Sequence, residues 1–266
     1  MANITIGQYY PAKSHIHSLD PRVKLGAVFV YIVMLFTVKG FPGYAVTALF
    51  LVTVIYASHV PPHYIFRGLK SILMILLITV GLNIFFHRGE TVLVRFFSIQ
   101  ITTEGIVAAA EMGLRLVLLL LGSSMLTLTT SPIQLTDAME FFMRPLRKIG
   151  VPAHEIAMMM TITLRFIPTL LEELDKIMKA QKARGADFDT GGLIKKAKSM
   201  IPLLVPLFIS AFRRADELAM AMEARCYRGD VHRTKMKALV LRPWDYKAMG
   251  CVCVFVVMVL MSWLVS

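Results

Sequence analysis

Cysteine is scarce: Cys226, Cys251 and Cys253 are the three in 266 residues, too few for a disulfide framework. Cys251 and Cys253 stand two apart in an apolar run, so on a helix they face different ways and read as packing residues. Acidic residues are also short, 17 against 29 Lys and Arg, leaving a net charge of +12. Such a surplus could serve nucleic acid, but the chain has no basic-aromatic platform and no zinc motif, which argues against it. A Gly-x4-Gly-Lys-Ser/Thr phosphate loop is missing, so no ATP-hydrolysing cradle is expected. His154-Glu155 has no second His at metalloprotease spacing, and His15-x-His17 in a polar lead reads as solvated; no metal or cofactor site is expected in this chain. No cleavable signal is expected, because the first 22 residues are polar and contain Pro21. The first apolar run is expected to act as its own insertion signal.

What is present is hydrophobic. The composition is 56% apolar with a mean hydropathy of +0.65, and the apolar residues come in blocks of membrane-spanning character. Five spans are expected, at about Val23–Val38, Tyr44–Ser58, Leu69–Phe86, Ile106–Leu128 and Ala248–Val265. Asp20-Pro21-Arg22 offers a cap and a first-turn proline for the first of them. Lys39-Gly-Phe-Pro-Gly43 and His59-Val-Pro-Pro62 separate the next two, and His87–Thr103 is a polar loop with room for a short strand. Trp244 and Tyr246 suit the inner interface of the last span and Trp263 the outer one. The fold class is therefore an all-α integral membrane protein, laid out as a lead (1–22), four spans (23–128), a mixed-charge segment (129–247) and a fifth span (248–266). Lys13, Arg22, Lys24, Arg67 and Lys70 lie on the same side as that segment, against Lys39, Arg88 and Arg95 on the other. The positive-inside tendency then puts the N-terminus in the cytoplasm and the C-terminus outside.

The mixed-charge segment, Ser131–Lys247, holds 20 of the 29 basic residues and 13 of the 17 acidic ones. Ser131-Pro132 starts a short helix that reaches about Arg147. A long helix follows from Val151-Pro-Ala-His-Glu155, striped by Met160, Leu164, Ile167, Leu171, Leu174 and Met178, with a kink expected from Pro168. Glu172–Lys176 and Asp175–Lys179 are spaced to pair along its exposed side. Another helix repeats the stripe with Met200, Leu203, Leu207, Ala211, Ala215, Leu218 and Met222. Met160, Leu164, Ile167, Leu171, Leu203, Leu207, Phe208 and Ala211 are the candidate packing surface for spans or a membrane partner. Glu111 and Arg115, four apart in the fourth span, share a helix face and can pair. Intramembrane charge marks a functional site, or else a pair settled near the outer interface; both readings stay open.

Both long helices end in Ala-Arg: Ala183-Arg184-Gly185 and, 41 residues on, Ala224-Arg225-Cys226. Gly185 suits a left-handed cap, and an arginine at a helix C-terminus complements the dipole while offering forked bonds to a partner's carboxylates. With Cys226 where the first motif has Gly, termination is expected to shift to Gly229. Pro152-x-x-Glu155, Arg165-Phe-Ile-Pro168, Ala180-Gln-Lys-Ala-Arg-Gly185 and Glu223-Ala-Arg225 together resemble the transmembrane T-component (EcfT) of energy-coupling factor transporters. That resemblance implies an ATP-driven importer in a prokaryotic cell membrane. The two Ala-Arg ends would dock on two ABC-type ATPase subunits, which bind the ATP and Mg. The apolar coupling helices would hold a small membrane-embedded substrate-binding S-component, delivering a vitamin or metal ion. The competing reading is a self-contained secondary transporter or channel that uses Glu111 and Arg115.

Overall fold

The computed structural model describes residues 9–38, 40–86, 91–96, 99–188, 192–229 and 239–265. In chain order these form α1 (His15–Ser18), α2 (Pro21–Thr37), α3 (Gly40–Ser58) and α4 (Pro62–Phe86), then strands β1 (Val92–Phe96) and β2 (Ile99–Thr102). They continue with α5 (Thr103–Thr129), α6 (Pro132–Met143), a 3-10 turn (Arg144–Ile149), α7 (Ala153–Ala183), α8 (Leu193–Ala224) and α9 (Pro243–Val265). The chain divides into two compact units, one of Met1–Ala138 with Lys237–Ser266 and one of Met139–Met236. The expected short strand is an antiparallel hairpin, with Arg95 opposite Gln100 and Phe96 opposite Ile99. Lys39, Arg88 and the side chain of Trp263 lie outside the described residues.

The first unit is a bundle of apolar helices. Gly40–Ser58, Thr103–Thr129 and Pro243–Ser262 are each long and apolar enough to cross a membrane, and Pro62–Lys70 with Ile72–Phe85, bent by 56°, would make a fourth. α2 has 17 residues, at the short end of the spanning range. Three helices start earlier than the breaker residues suggest. α3 opens at Gly40, α4 at Pro62 and α9 at Pro243, because proline is tolerated in a first turn, where no intrahelical N–H bond is lost. At its other end α3 is closed by His59, a non-glycine residue at φ 54°.

The core is built on Tyr31, Leu35, Tyr44, Leu51, Leu118, Met125 and Phe255. Phe50 stacks on Phe255 with ring centroids 4.3 Å apart, and Tyr31 lies 6.0 Å from Phe255, so α2, α3 and α9 share one aromatic contact. Tyr31 also fixes α2 on α5. Its hydroxyl donates to the Leu118 carbonyl at 2.9 Å, and its ring packs closely on Gly122, where an added Cβ would fall 2.3 Å from Cε1. Only a residue with no side chain permits that approach.

At the end of the bundle where α2 and α9 begin, polar groups are buried together. Asp20 caps α2 by accepting the Arg22 N–H at 2.9 Å. Asp245 accepts the Arg242 N–H at 2.6 Å with one carboxylate oxygen and the Asp20 N–H at 2.7 Å with the other. One side chain thus satisfies the orphan donors of two helix starts. Lys24, buried with Asp20 and Asp245 as its counter-charges, donates to the carbonyls of Thr129 at 3.0 Å and His17 at 3.1 Å. It therefore caps the C-terminus of α5, which the Tyr10 N–H also reaches at Leu128. His17 closes the lead onto this end, with Nε2 3.0 Å from the Tyr10 carbonyl and Nδ1 2.7 Å from the Ser14 hydroxyl. A neutral ring that donates from Nε2 and accepts at Nδ1 satisfies both bonds.

Replacing Gly122 by Ala is expected to destabilise the bundle by about 1–3 kcal/mol, the usual cost of overpacking. Thermal unfolding of the detergent-solubilised protein measures it, and an unchanged unfolding temperature would show that the α2–α5 contact relaxes freely. Burial holds the His17 pKa below its ordinary 6.5. As pH falls through that value the unfolded chain takes up the proton first, so stability is intact above it and declines below it. The unfolding temperature of the wild type should drop from pH 7 to pH 5 more steeply than that of His17→Gln; parallel profiles would remove His17 as the cause.

Candidate partner-docking sites

The second unit is dominated by α7 and α8, joined through residues 184–192. Met160, Leu164, Ile167, Leu171, Leu174 and Met178 are half-buried along α7. On α8, Leu203 is buried and Leu207, Ala211, Leu218 and Met222 are half-buried, on the same helix face as Ser210 and Arg214. That face meets α7: the Ser210 hydroxyl donates to Glu173, Arg214 lies 3.5 Å from the same carboxylate, and the Arg214 guanidinium sits 5.7 Å from the Phe166 ring. Earlier residues of one helix meet later residues of the other, so the two run antiparallel. Both helices continue through their prolines, Pro168 in α7 and Pro202 and Pro206 in α8. Glu172–Lys176 and Asp175–Lys179 do not close to ion pairs among the described residues; Glu173, between them, reaches across to α8 instead.

Leu203, Leu207 and Ala211 are therefore spent within the chain, whereas Phe208 is 60% exposed. It belongs to a second apolar stripe on α8, formed with Ile201, Leu204, Val205, Ile209 and Phe212, all exposed. At roughly 100° per residue this stripe faces well away from the α7 seam. An uncovered run of large apolar side chains on one helix marks a surface for another molecule.

The two Ala-Arg ends have one geometry. After α7, the Gly185 N–H bonds the Lys182 carbonyl at 3.0 Å and the Ala186 N–H bonds Gln181 at 3.0 Å. After α8, the Cys226 N–H bonds Glu223 at 2.8 Å and the Tyr227 N–H bonds Met222 at 3.1 Å. Both are Schellman caps, with Gly185 at φ 86° and Cys226 at φ 55°. This corrects the expected shift of termination to Gly229: α8 ends at Ala224, and Cys226 takes up the left-handed conformation itself. The six residues Ala183, Arg184, Gly185, Ala224, Arg225 and Cys226 are all exposed.

Their surroundings differ. Gly229, just beyond the second end, has its open face 3.8 Å from Glu155 Oε1, so the chain leaving α8 passes the first turn of α7. Glu155 also lines a polar cavity of about 330 Å³ with Glu140, Arg144, Arg147 and His154, where His154 Nδ1 and Glu140 Oε1 are 3.3 Å apart. α6, which carries Glu140, starts with a reciprocal cap that Ser131-x-x-Gln134 encodes: Gln134 accepts from the Ser131 N–H at 3.1 Å, and Ser131 Oγ accepts from the Gln134 N–H at 3.4 Å.

In the bundle, Glu111 and Arg115 do not pair. Arg115 donates to the Tyr44 hydroxyl from Nε at 3.1 Å and from Nη2 at 2.8 Å, and to the Val38 carbonyl at 3.4 Å. It closes the turn between α2 and α3, because a buried phenol and a helix-end carbonyl are in reach and in need of a donor. Spacing along one helix cannot reveal a partner 71 residues away. Asp245 could have been found, since an acid two residues after Pro243 is the third residue of a capped helix. Glu173 and Arg214 left no comparable signal.

Residues 12–236 match the model of a family described as cobalt transport protein. The chain is similar to the energy-coupling factor transporter transmembrane protein EcfT of Clostridium kluyveri, 56% identical over 98% of this chain and 97% of that one. It is also similar to the EcfT proteins of Thermosediminibacter oceani, 53% identical over 93% of each chain, and Ruminiclostridium cellulolyticum, 51% identical over 99% of this chain and 96% of that one.

The caps make a paired prediction. Cys226→Gly relieves a left-handed side chain and should stabilise the second unit by about 1 kcal/mol, whereas Gly185→Ala should cost about as much. Chemical unfolding of both variants reads the difference, and shifts of the same sign would contradict the matched caps.

Proposed function

We propose that this chain, which belongs to the family of energy-coupling factor transporter transmembrane proteins, works as the coupling subunit of an ATP-driven importer of vitamins or metal ions. The observation that carries the reading is the matched pair of exposed Ala-Arg ends. Each puts a small residue and a guanidinium at the negative end of a helix dipole, with the backbone held by the same cap. A small residue lets a partner's backbone approach, and the arginine offers a forked donor to carboxylates lining a groove. Two equivalent ends suit two related ATPase subunits, one each. ATP and its magnesium are bound and hydrolysed there, and this chain contributes no catalytic group.

The exposed stripe of Ile201, Leu204, Val205, Phe208, Ile209 and Phe212 receives the membrane-embedded S-component, which sets the substrate. Closure of the ATPase pair drives the two Ala-Arg ends, and the α7–α8 pair carries that displacement to the stripe. The protein sits in a prokaryotic cell membrane with its N-terminus in the cytoplasm and its C-terminus outside. The reading as a self-contained carrier gains nothing from Arg115, whose donors are engaged by Tyr44 and Val38.

Reversing both Arg184 and Arg225 to Glu is expected to weaken co-purification of the ATPase subunits by roughly 100-fold, on the scale of a hot-spot pair, while membrane insertion persists. Phe208→Asp should release the S-component and leave the ATPases bound. Normal ATP-driven uptake by the double reversal would overturn the docking assignment, and uptake by the chain alone in liposomes would overturn the coupling role.

A further inference from the structure

An apolar cavity of about 300 Å³ opens in the first unit, where α2, α3, α5 and α9 meet α1. Its walls include Ile16, Leu19, Val28, Val54, Leu126 and Val252. The polar atoms that reach it are already engaged: Lys24 with two carbonyls, Thr53 with Leu49 and Phe50, and Thr129 with Met125. Such a space gives water nothing to bond to. Its exposed rim is formed by short side chains, Thr53 and Ala57 on α3 and Cys251 on α9. The mouth is thus on the outer surface of the bundle, where lipid lies once the helices are in a membrane.

A second hollow, of about 550 Å³, adjoins it across α1 and the end of α3. Ile16 and Leu19 line the apolar side, and Lys13, His15, His17 and Ser18 line the other. Ala57 and His59, two residues apart, divide between the two in the same way. Lys13 is exposed and makes no ion pair among the described residues. His59 is exposed, with Nδ1 3.3 Å from the Ala57 carbonyl, which leaves Nε2 to meet a ligand. No acidic residue lines either hollow; the nearby Asp20 and Asp245 are buried, and each already accepts backbone N–H groups. Beside the rim, His15 stacks on Trp244 at 4.7 Å and Lys247 lies 4.3 Å from the same ring, an aromatic-cationic pairing typical of headgroup depth.

We infer that these two hollows form one site for an anionic phospholipid, its phosphate against Lys13 and His59 and an acyl chain in the cavity behind Thr53 and Ala57. Size separates this occupant from others. The cavity is at the low end of the ~300–1,000 Å³ range of small-molecule sites, suited to the end of a hydrocarbon chain and too small for a helix. Charge complementarity picks an anion for the adjoining hollow. The lipid would bridge α1, α3 and α9 over the buried Asp20–Asp245 contact.

Native mass spectrometry of the full chain, reconstituted with phosphatidylglycerol or phosphatidylcholine and released into detergent, tests this. One phosphatidylglycerol should stay bound per chain, with a preference of about tenfold over phosphatidylcholine. Lys13→Glu with His59→Glu should abolish the preference without lowering the unfolding temperature, since both side chains are exposed. Ala57→Trp, which blocks the mouth, should remove the bound lipid while leaving the unfolding temperature of the lipid-free protein unchanged. Equal retention of the two lipids, or retention unaltered by Ala57→Trp, would overturn the site. Displacement of the lipid by excess inorganic phosphate would also overturn it, in favour of a free-anion hollow.

Discussion

The carboxylate of Asp245 is the contact on which the membrane unit most depends. It lies 225 residues from the Asp20 N–H that it accepts, so it joins the two ends of the chain where α2 and α9 both begin. Each of those helix starts has N–H groups that need a partner and a positive dipole that needs a counter-charge, and one buried acid supplies both. Lys24 and, 4.0 Å from Asp20, Arg22 supply the counter-charges to the two acids, and Lys24 turns to the C-terminus of α5, where carbonyls lack donors. The arrangement is a closed exchange of helix-end needs. Its members are fully buried or nearly so, and removing one would strand the others, the costliest way to disturb a polar cluster in a low-dielectric setting.

α8 shows how the second unit separates internal from external packing. Its seam residues, Leu203, Leu207 and Ala211, are modest in size and are used against α7, with Glu173, Ser210 and Arg214 fixing the register. The larger residues, Phe208 and Phe212, point elsewhere. An isolated helix that is apolar on two faces would be insoluble or buried, so the second stripe needs cover that its α7 partner does not give. That division is why a stripe found by periodicity and a stripe available to a partner need not be the same residues.

Much of this was legible from residues alone. The order of the apolar helices, the Asp20-Pro21 and Ser131-Pro132 starts, and the two Ala-Arg ends all follow from local rules about dipoles, caps and spacing. Among the expectations that failed, two did so for opposite reasons. The shift to Gly229 overrated the left-handed penalty at Cys226, which is small beside the hydrogen bonds that the cap completes. The Glu111–Arg115 pair rested on helix spacing, and the true partner of Arg115, Tyr44, is supplied by another helix. Long-range contacts such as Glu173 with Arg214, or Asp20 with Asp245, depend on how helices meet, and no local pattern encodes that.

The antiparallel tie between α7 and α8 has a mechanical consequence. From Glu173 to Ala183 is about 15 Å of helix, and from Ser210 to Ala224 about 21 Å, at 1.5 Å per residue. These are unequal lever arms about one fulcrum. A rotation of about 10° there would carry Ala183 and Ala224 through roughly 2.6 and 3.7 Å respectively. The shorter arm trades travel for force, and the longer one passes Glu155 on its way out. Equal pushes on the two helix ends would therefore be converted at this fulcrum into unequal displacements, a tilt where a piston would give pure translation.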